Sequence, residues 1–310
     1  MKKTLIVLVM VLLAAMLVVS CANEPKATYT IKFNAGSGTG SYQDQTVTEG
    51  AKVTKPETNP KASNQYQTFK CWSIDGSEEY DFNKPVDCNI ILTAVYRDLA
   101  VGDTGPAGGT IFYVNPSYNA DSADNNWKYL EAGPTDLTAN LDGEAVSNIV
   151  FGYYVTMDGA GYSAQIVTTE NSESDGSGAN AAIGKGKSNT TSLVQKTGGA
   201  WATNSSGSPS VTTNYAAKLC DDYSCGGYND WFLPSLNELK ELYSAYAAGN
   251  VGGTWHTRYS SSYTASDNEY YWTSSEYDAN SAWTVCFGNG SIGGLPRTYA
   301  YAYVRPVRAF

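Results

Sequence analysis

Histidine is nearly missing from this chain: His256 is the only one in 310 residues. A Ser–His–acid triad would therefore have to use His256, and no Gly-x-Ser-x-Gly elbow accompanies it. A zinc cage would need thiolates instead, yet no Cys-x-x-Cys occurs among the six cysteines. Charge is also scarce, at 16% of residues, and Lys and Arg (20) are outnumbered by Asp and Glu (30). A formal charge of −10 argues against nucleic acid and against an anionic membrane face as partners. The one long apolar run, Thr4–Val19, is short for a comfortable membrane span. What the chain has in quantity is Gly (30) and Tyr (24), which suits short strands, turns and half-buried faces.

Residues 1–20 read as an export signal: Lys2 and Lys3 lead, an apolar stretch follows, and Val18-Val19-Ser20-Cys21 resembles a lipobox. Cys21 is the expected lipidation site, and more than one acyl chain there would anchor stably. A plain secretory signal with an incidental Cys is the other reading. Cleavage removes two lysines and no acid, moving the charge from −10 to −12. By the lipoprotein resemblance, Asn23 in place of Asp favours an outer-membrane destination. Export permits disulfides, so Cys71 with Cys88 and Cys220 with Cys225 are candidate pairs, with Cys286 left over; free thiols are the alternative.

Residues 21–27 form a polar tether. From 28 to 98 apolar and polar residues alternate, with Tyr29-Ile31-Phe33, Phe69-Cys71 and Ile91-Thr93-Val95 as inward sets and Gly36–Gly40 as a turn. The phrases YTIKFNAGSGTG, KCWSIDGSEEYDF and ILTAVY resemble the Listeria–Bacteroides repeat, or internalin B-repeat, a small β-grasp-like spacer of bacterial surface proteins. Trp72 and Tyr96 are then core residues.

Beyond residue 98, Gly102–Gly108 is a Gly-rich entry loop; two collagen-like triplets cannot sustain a triple helix. Thr110–Val114 predicts a first strand, Trp127–Leu130 and Ile149–Phe151 further strands, and Tyr299–Phe310 a last one. Asn171–Gly186 predicts an exposed loop. Gly184–Thr190 mimics a phosphate loop but has Ala181 where that pattern needs Gly, so it reads as a turn. Thr213–Tyr223 predicts one helix. A second follows Pro234, with Ser235 and Glu238 as a capping box, Leu236, Leu239, Leu242 and Tyr243 as its apolar stripe, Glu238 off that stripe, and Gly249-Asn250 as the stop.

GGYNDWFLPSLNELKELY, YYWTSSE, AWTVCFGNG and the terminal VRPVRAF, with VGDTGPAGGTIFYV before them, resemble the C-terminal domain of the Legionella collagen-like adhesin over about residues 100–310. The resemblance implies an α+β, C-type lectin-like domain at 99–310 in which first and last strands pair. The founding member binds sulfated glycans, a polyanionic ligand that the acidic charge here opposes. Glu-Pro-Asn, Gln-Pro-Asp and Trp-Asn-Asp are all absent, so calcium-mediated sugar binding does not transfer, and no metal or cofactor is expected. Formylglycine-generating enzymes resemble this fold too, but no Cys pair is placed to match theirs.

The expectation is a non-enzymatic surface lipoprotein that recognises an extracellular glycan or host or surface protein. A structural spacer without ligand is the alternative, and the oligomeric state stays open. Trp231, Trp272 and Trp283 sit in strand patterns and are core candidates. Trp255, His256, Arg258, Tyr259 and Tyr263 fall in one irregular aromatic run, so these residues, with Arg297, are the candidate ligand contacts.

Overall fold

The structure is a computed structural model that describes residues 25–141, 144–147, 149–151, 178–197, 201–203, 210–212, 215–259, 269–278, 281–297 and 302–310. The export signal and Cys21 lie outside these residues. The chain divides into two compact units, Met1–Asp98 and Leu99–Phe310, and its class is mixed α and β.

The first unit is a four-stranded sheet of β1 (Thr28–Asn34), β2 (Gln45–Thr48), β3 (Gln67–Ser73) and β4 (Ile90–Asp98), in the order β2-β1-β4-β3. β1 runs parallel to β4 and sets Phe33 opposite Leu92, so the two share a face. That register corrects the expected inward set on β4. Leu92 and Ala94 are buried, while Ile91 is 57% exposed. Leu92 and Ala94 interleave with Ile91 and Val95, so alternation alone fits either face, and the pairing with β1 selects the one opposite to that expected. Trp72 packs its ring edge-on to Phe33, Tyr42 and Phe69 at 5.0–5.5 Å between centroids. The Tyr96 hydroxyl donates to Ala35 O at 2.7 Å and ties down the glycine turn.

In the second unit β5 (Thr110–Val114), β6 (Tyr129–Ala132) and β15 (Val307–Ala309) form one sheet, ordered β15-β6-β5. First and last strands therefore share a sheet but do not pair; β6 lies between them. The expected terminal strand is also split. β14 (Ala302–Tyr303) joins a second sheet with β11 (Tyr270–Glu276), β12 (Ser281–Cys286) and β13 (Ile292–Pro296), ordered β13-β12-β11-β14. Pro306, which has no N–H to donate, separates β14 from β15. β11 is buried at every position, and Trp272 and Trp283 lie in the core as expected, as does Trp231. The remaining ribbons are β7 (Ala139–Leu141) with β8 (Glu144–Val146), and β9 (Trp201–Thr203) with β10 (Ser210–Thr212). Ile149 and Val150 make single bridges, to Ala302 and Tyr215, rather than a strand.

Among the described residues three α-helices cover these sheets: α1 (Gly186–Thr197), α2 (Ala216–Asp221) and α3 (Leu236–Ala247). α3 starts at the expected capping box, in which Glu238 N donates to Ser235 Oγ and Ser235 N donates to Glu238 Oε2 at 2.7 Å. Gly249, at φ 76°, follows its last turn. Glu238 is not on an outer face, however. It is fully buried, and its Oε1 also accepts from Gly184 N at 2.8 Å and Gly186 N at 3.4 Å. A Cβ on Gly186 would lie 2.2 Å from that carboxylate, so only glycine admits the approach. Glu131 works alike, accepting from Gly109 N at 2.8 Å and Ala107 N at 3.1 Å in the entry loop, where a Cβ on Gly105 would lie 2.4 Å from its carboxyl carbon.

α1 replaces the turn expected from the glycines and lysines. Its buried face sets Gly186, Asn189 and Thr190 beside Leu193, and so mixed a stripe hides it from a search for apolar periodicity. Asn189 Nδ2 donates to Asn180 O at 2.8 Å, and Leu233 N donates to Thr190 Oγ1 at 3.0 Å. Asn180 and Ala181, in a 3-10 turn over Ala179–Ala181, are buried, so this part of the expected exposed loop is core while Gly184 and Lys185 are exposed; residues 171–177 lie outside the described ones.

All five cysteines at 71, 88, 220, 225 and 286 are free thiols. The candidate pairs are not formed, because each sets a buried sulfur against one on the outside. Cys71 is in the core and Cys88 is exposed. Cys220 faces the core from α2, while the Cys225 thiol donates to Ala107 O at 3.5 Å.

Candidate ligand-binding loop

After α3 ends, the chain runs without regular structure through residues 252–259. Aromatic rings hold it from below. The Trp255 ring stacks on Phe287 at 4.8 Å with 11° between planes, and the Arg305 guanidinium lies 3.9 Å from its centroid. The Trp255 indole N–H donates to Gly252 O at 3.1 Å, closing the loop on itself. His256 stacks on Tyr303 at 3.5 Å, and its backbone N–H donates to the Tyr271 hydroxyl at 3.0 Å.

Charges complete the mount. Arg305 Nε donates to Asp136 Oδ1 at 2.6 Å, while its terminal nitrogens donate to Gly133 O and to Thr254 O in the loop. The Tyr271 hydroxyl donates to Asp136 Oδ2 at 2.8 Å. Burial, with the Asp136 charge beside it, pushes the Tyr271 hydroxyl far above the ordinary tyrosine range, so it stays a neutral donor. His256 lies between two carboxylates, Nε2 3.7 Å from Asp136 and Nδ1 3.6 Å from Glu269. Arg258 N donates to Glu269 Oε2 at 2.7 Å.

The candidate contacts therefore separate. Trp255 and His256 are half-buried and fix the loop; with Phe287 and Arg305 against it, the indole is no open platform. Arg258, with 65% of its side chain accessible, and Tyr259, at 48%, face solvent. Tyr263 lies outside the described residues. Arg297 is not a surface group. It is 1% exposed, pairs with Glu276 Oε1 at 2.6 Å and donates to the backbone carbonyls of Asp278 and Ser281. From within, it bridges the end of β11 and the start of β12 through the Asp278 and Ser281 carbonyls.

Sequence reasoning missed Asp136, Glu269 and Arg305. Arg305 stood within the VRPVRAF phrase without a role, and nothing near Asp136 signalled that it would meet residues some 120 positions later. Among the described residues, no group of three His, Cys, Asp or Glu side chains is placed to hold a metal ion.

The family model described as the Listeria-Bacteroides repeat domain matches residues 29–95, and that described as the Lcl C-terminal domain matches residues 191–308. No curated protein matches the chain. The repeat and the adhesin-type domain stand in the order that the motifs indicate. The second match begins after the VGDTGPAGGTIFYV phrase, so that phrase is outside it. Together the two matches indicate a surface protein of adhesion type.

Proposed function

We propose that this is a non-enzymatic recognition protein of the cell surface, anchored through a lipidated Cys21, and that it binds an extracellular glycan or surface protein through residues 256–259. The observation that carries this reading is the mounting of the loop. Irregular backbone is held on a rigid aromatic floor while Arg258 and Tyr259 project to solvent, and Arg and Tyr are side chains that dominate binding energy when pre-placed. The larger unit would be C-type lectin-like, a reading supported by terminal strands that share one sheet around β6. The smaller would be a β-grasp-like spacer, supported by the parallel β1–β4 pair at the centre of its sheet.

A binding role also accounts for the carboxylates that could have served acid–base chemistry. Asp221 and Asp222 face Lys218, Asp230 pairs with Arg308 at 2.8 Å, and Glu238 caps α3. Both His256 nitrogens face carboxylates rather than a hydroxyl or thiol.

The test is a glycan array together with immobilised surface proteins, probed with wild type, Arg258→Ala and Tyr259→Ala. Each substitution should weaken binding by about 1–2 kcal/mol with the melting temperature unchanged. Binding that survives both substitutions refutes the loop, and an array without any binder favours the spacer.

A further inference from the structure

The chain's one histidine stands at the root of the loop, with a carboxylate facing each of its ring nitrogens. His256 Nε2 is 3.7 Å from Asp136 Oδ2 and Nδ1 is 3.6 Å from Glu269 Oε1, both just beyond hydrogen-bond length. Acceptors on both sides suit one protonation state only. A neutral imidazole has a single N–H and must turn a lone pair towards one of the carboxylates, whereas an imidazolium donates from both nitrogens. The ring plane is already set by Tyr303, stacked at 3.5 Å, and 33% of the side chain is open to solvent. Asp136 also accepts from Arg305 and from the Tyr271 hydroxyl, and Glu269 accepts from the Arg258 backbone and, at 3.4 Å, from its guanidinium. Each carboxylate keeps its arginine in either state, so the second imidazole N–H is what changes.

We infer that His256 is a pH-operated latch on this loop: the imidazolium ties residues 256–258 to Asp136 and Glu269 together, and the neutral ring lets go of one of them. The inference rests on reading residues 256–259 as the binding loop, and it names what regulates them. Arg258 and Tyr259 are held ready for a partner at mildly acid pH and are loosened above neutrality, across the range in which histidine changes charge. Arg305 holds Thr254 O in both states, so the latch acts on the outer half of the loop. Solvent screens a ring this open, so its effect falls on the loop and hardly on the melting of the whole unit.

The experiment is amide hydrogen exchange of the full chain at pH 5.5 and pH 8, each rate divided by the intrinsic rate at that pH. The backbone N–H groups of His256 and Arg258 donate to Tyr271 and Glu269, so protection of residues 256–258 reads the latch without any ligand. It should be about threefold or more greater at pH 5.5. His256→Gln keeps a donor but takes up no proton, and should show the wild-type pH 8 protection at both values. Glu269→Gln should shrink the difference, and it carries the test if His256→Gln does not fold. The array of glycans and surface proteins, repeated at both pH values, should bind about threefold or more tightly at pH 5.5. Equal protection at the two pH values, an undiminished difference in His256→Gln, or array binding indifferent to pH overturns the latch. A His256-dependent difference in protection without any array binder supports the latch while the binding-loop reading fails.

Discussion

Raising the pH from 5 to 8 should destabilise the larger unit, and Glu238 sets most of the effect. Its carboxyl is fully buried, and that burial pushes its pKa from 4.5 up to about 7 against the pull of the backbone N–H groups of Ser235, Gly184 and Gly186. The native state thus holds this proton more tightly than the unfolded chain does. Stability is fully present below pH 4.5 and is lost as the pH rises through 7. A shift of about 2.5 units at about 1.36 kcal/mol each makes the loss about 3 kcal/mol. For a unit the size of Leu99–Phe310 that is a fall of roughly 6–12 °C in melting temperature. Glu131, also raised by burial, acts in the same sense. Asp230, lowered overall by its Arg308 partner despite burial, loses its contribution only at more acid pH, outside this window. The assay is calorimetric melting at pH 5, 6, 7 and 8 at matched ionic strength, on wild type and Glu238→Gln. The variant has no proton to gain, so its slope should shrink to what Glu131 leaves. A wild-type melting temperature that stays level or rises from pH 5 to 8, or equal slopes in both proteins, refutes the reasoning.

Ser235→Ala should cost about 2 kcal/mol, the upper end for a cap, because Ser235 is buried and its hydroxyl also donates to Ala182 O at 2.8 Å. Urea denaturation checks this, as a lower midpoint at unchanged slope. Trp255→Ala should destabilise by about 2–3 kcal/mol through lost packing on Phe287 and Arg305, and a melting temperature equal to wild type would show that the ring is free. In a timed thiol-labelling assay on the native chain, Cys88 should react first among the five described cysteines, while Cys71, Cys220 and Cys286 wait for unfolding. Prompt labelling of Cys220 would contradict its place in the core.

Local patterns settled those features whose interactions lie within a few residues of each other. The Ser235–Glu238 box, the Leu236–Leu242 stripe and the glycine stop specify α3 because a helix start is satisfied by its own first turn. Trp272 and Trp283, in strands, and Trp231, beside the Phe232 bridge, declared their burial through apolar neighbours. The two family motifs likewise marked a Listeria-Bacteroides repeat and an Lcl C-terminal-type domain. Tertiary structure decided whatever depended on a distant partner. It set the inward face of β4, inserted β6 between the terminal strands, and turned the polar Gly186–Thr197 segment into a helix whose Asn189 and Thr190 find partners in the core. It also divided the aromatic run, holding Trp255 under Arg305 and leaving Arg258 and Tyr259 in solvent, and it buried Arg297 against Glu276. A side chain's own type shows what it can bond, but which bonds and faces remain open is set by residues brought to it from far along the chain.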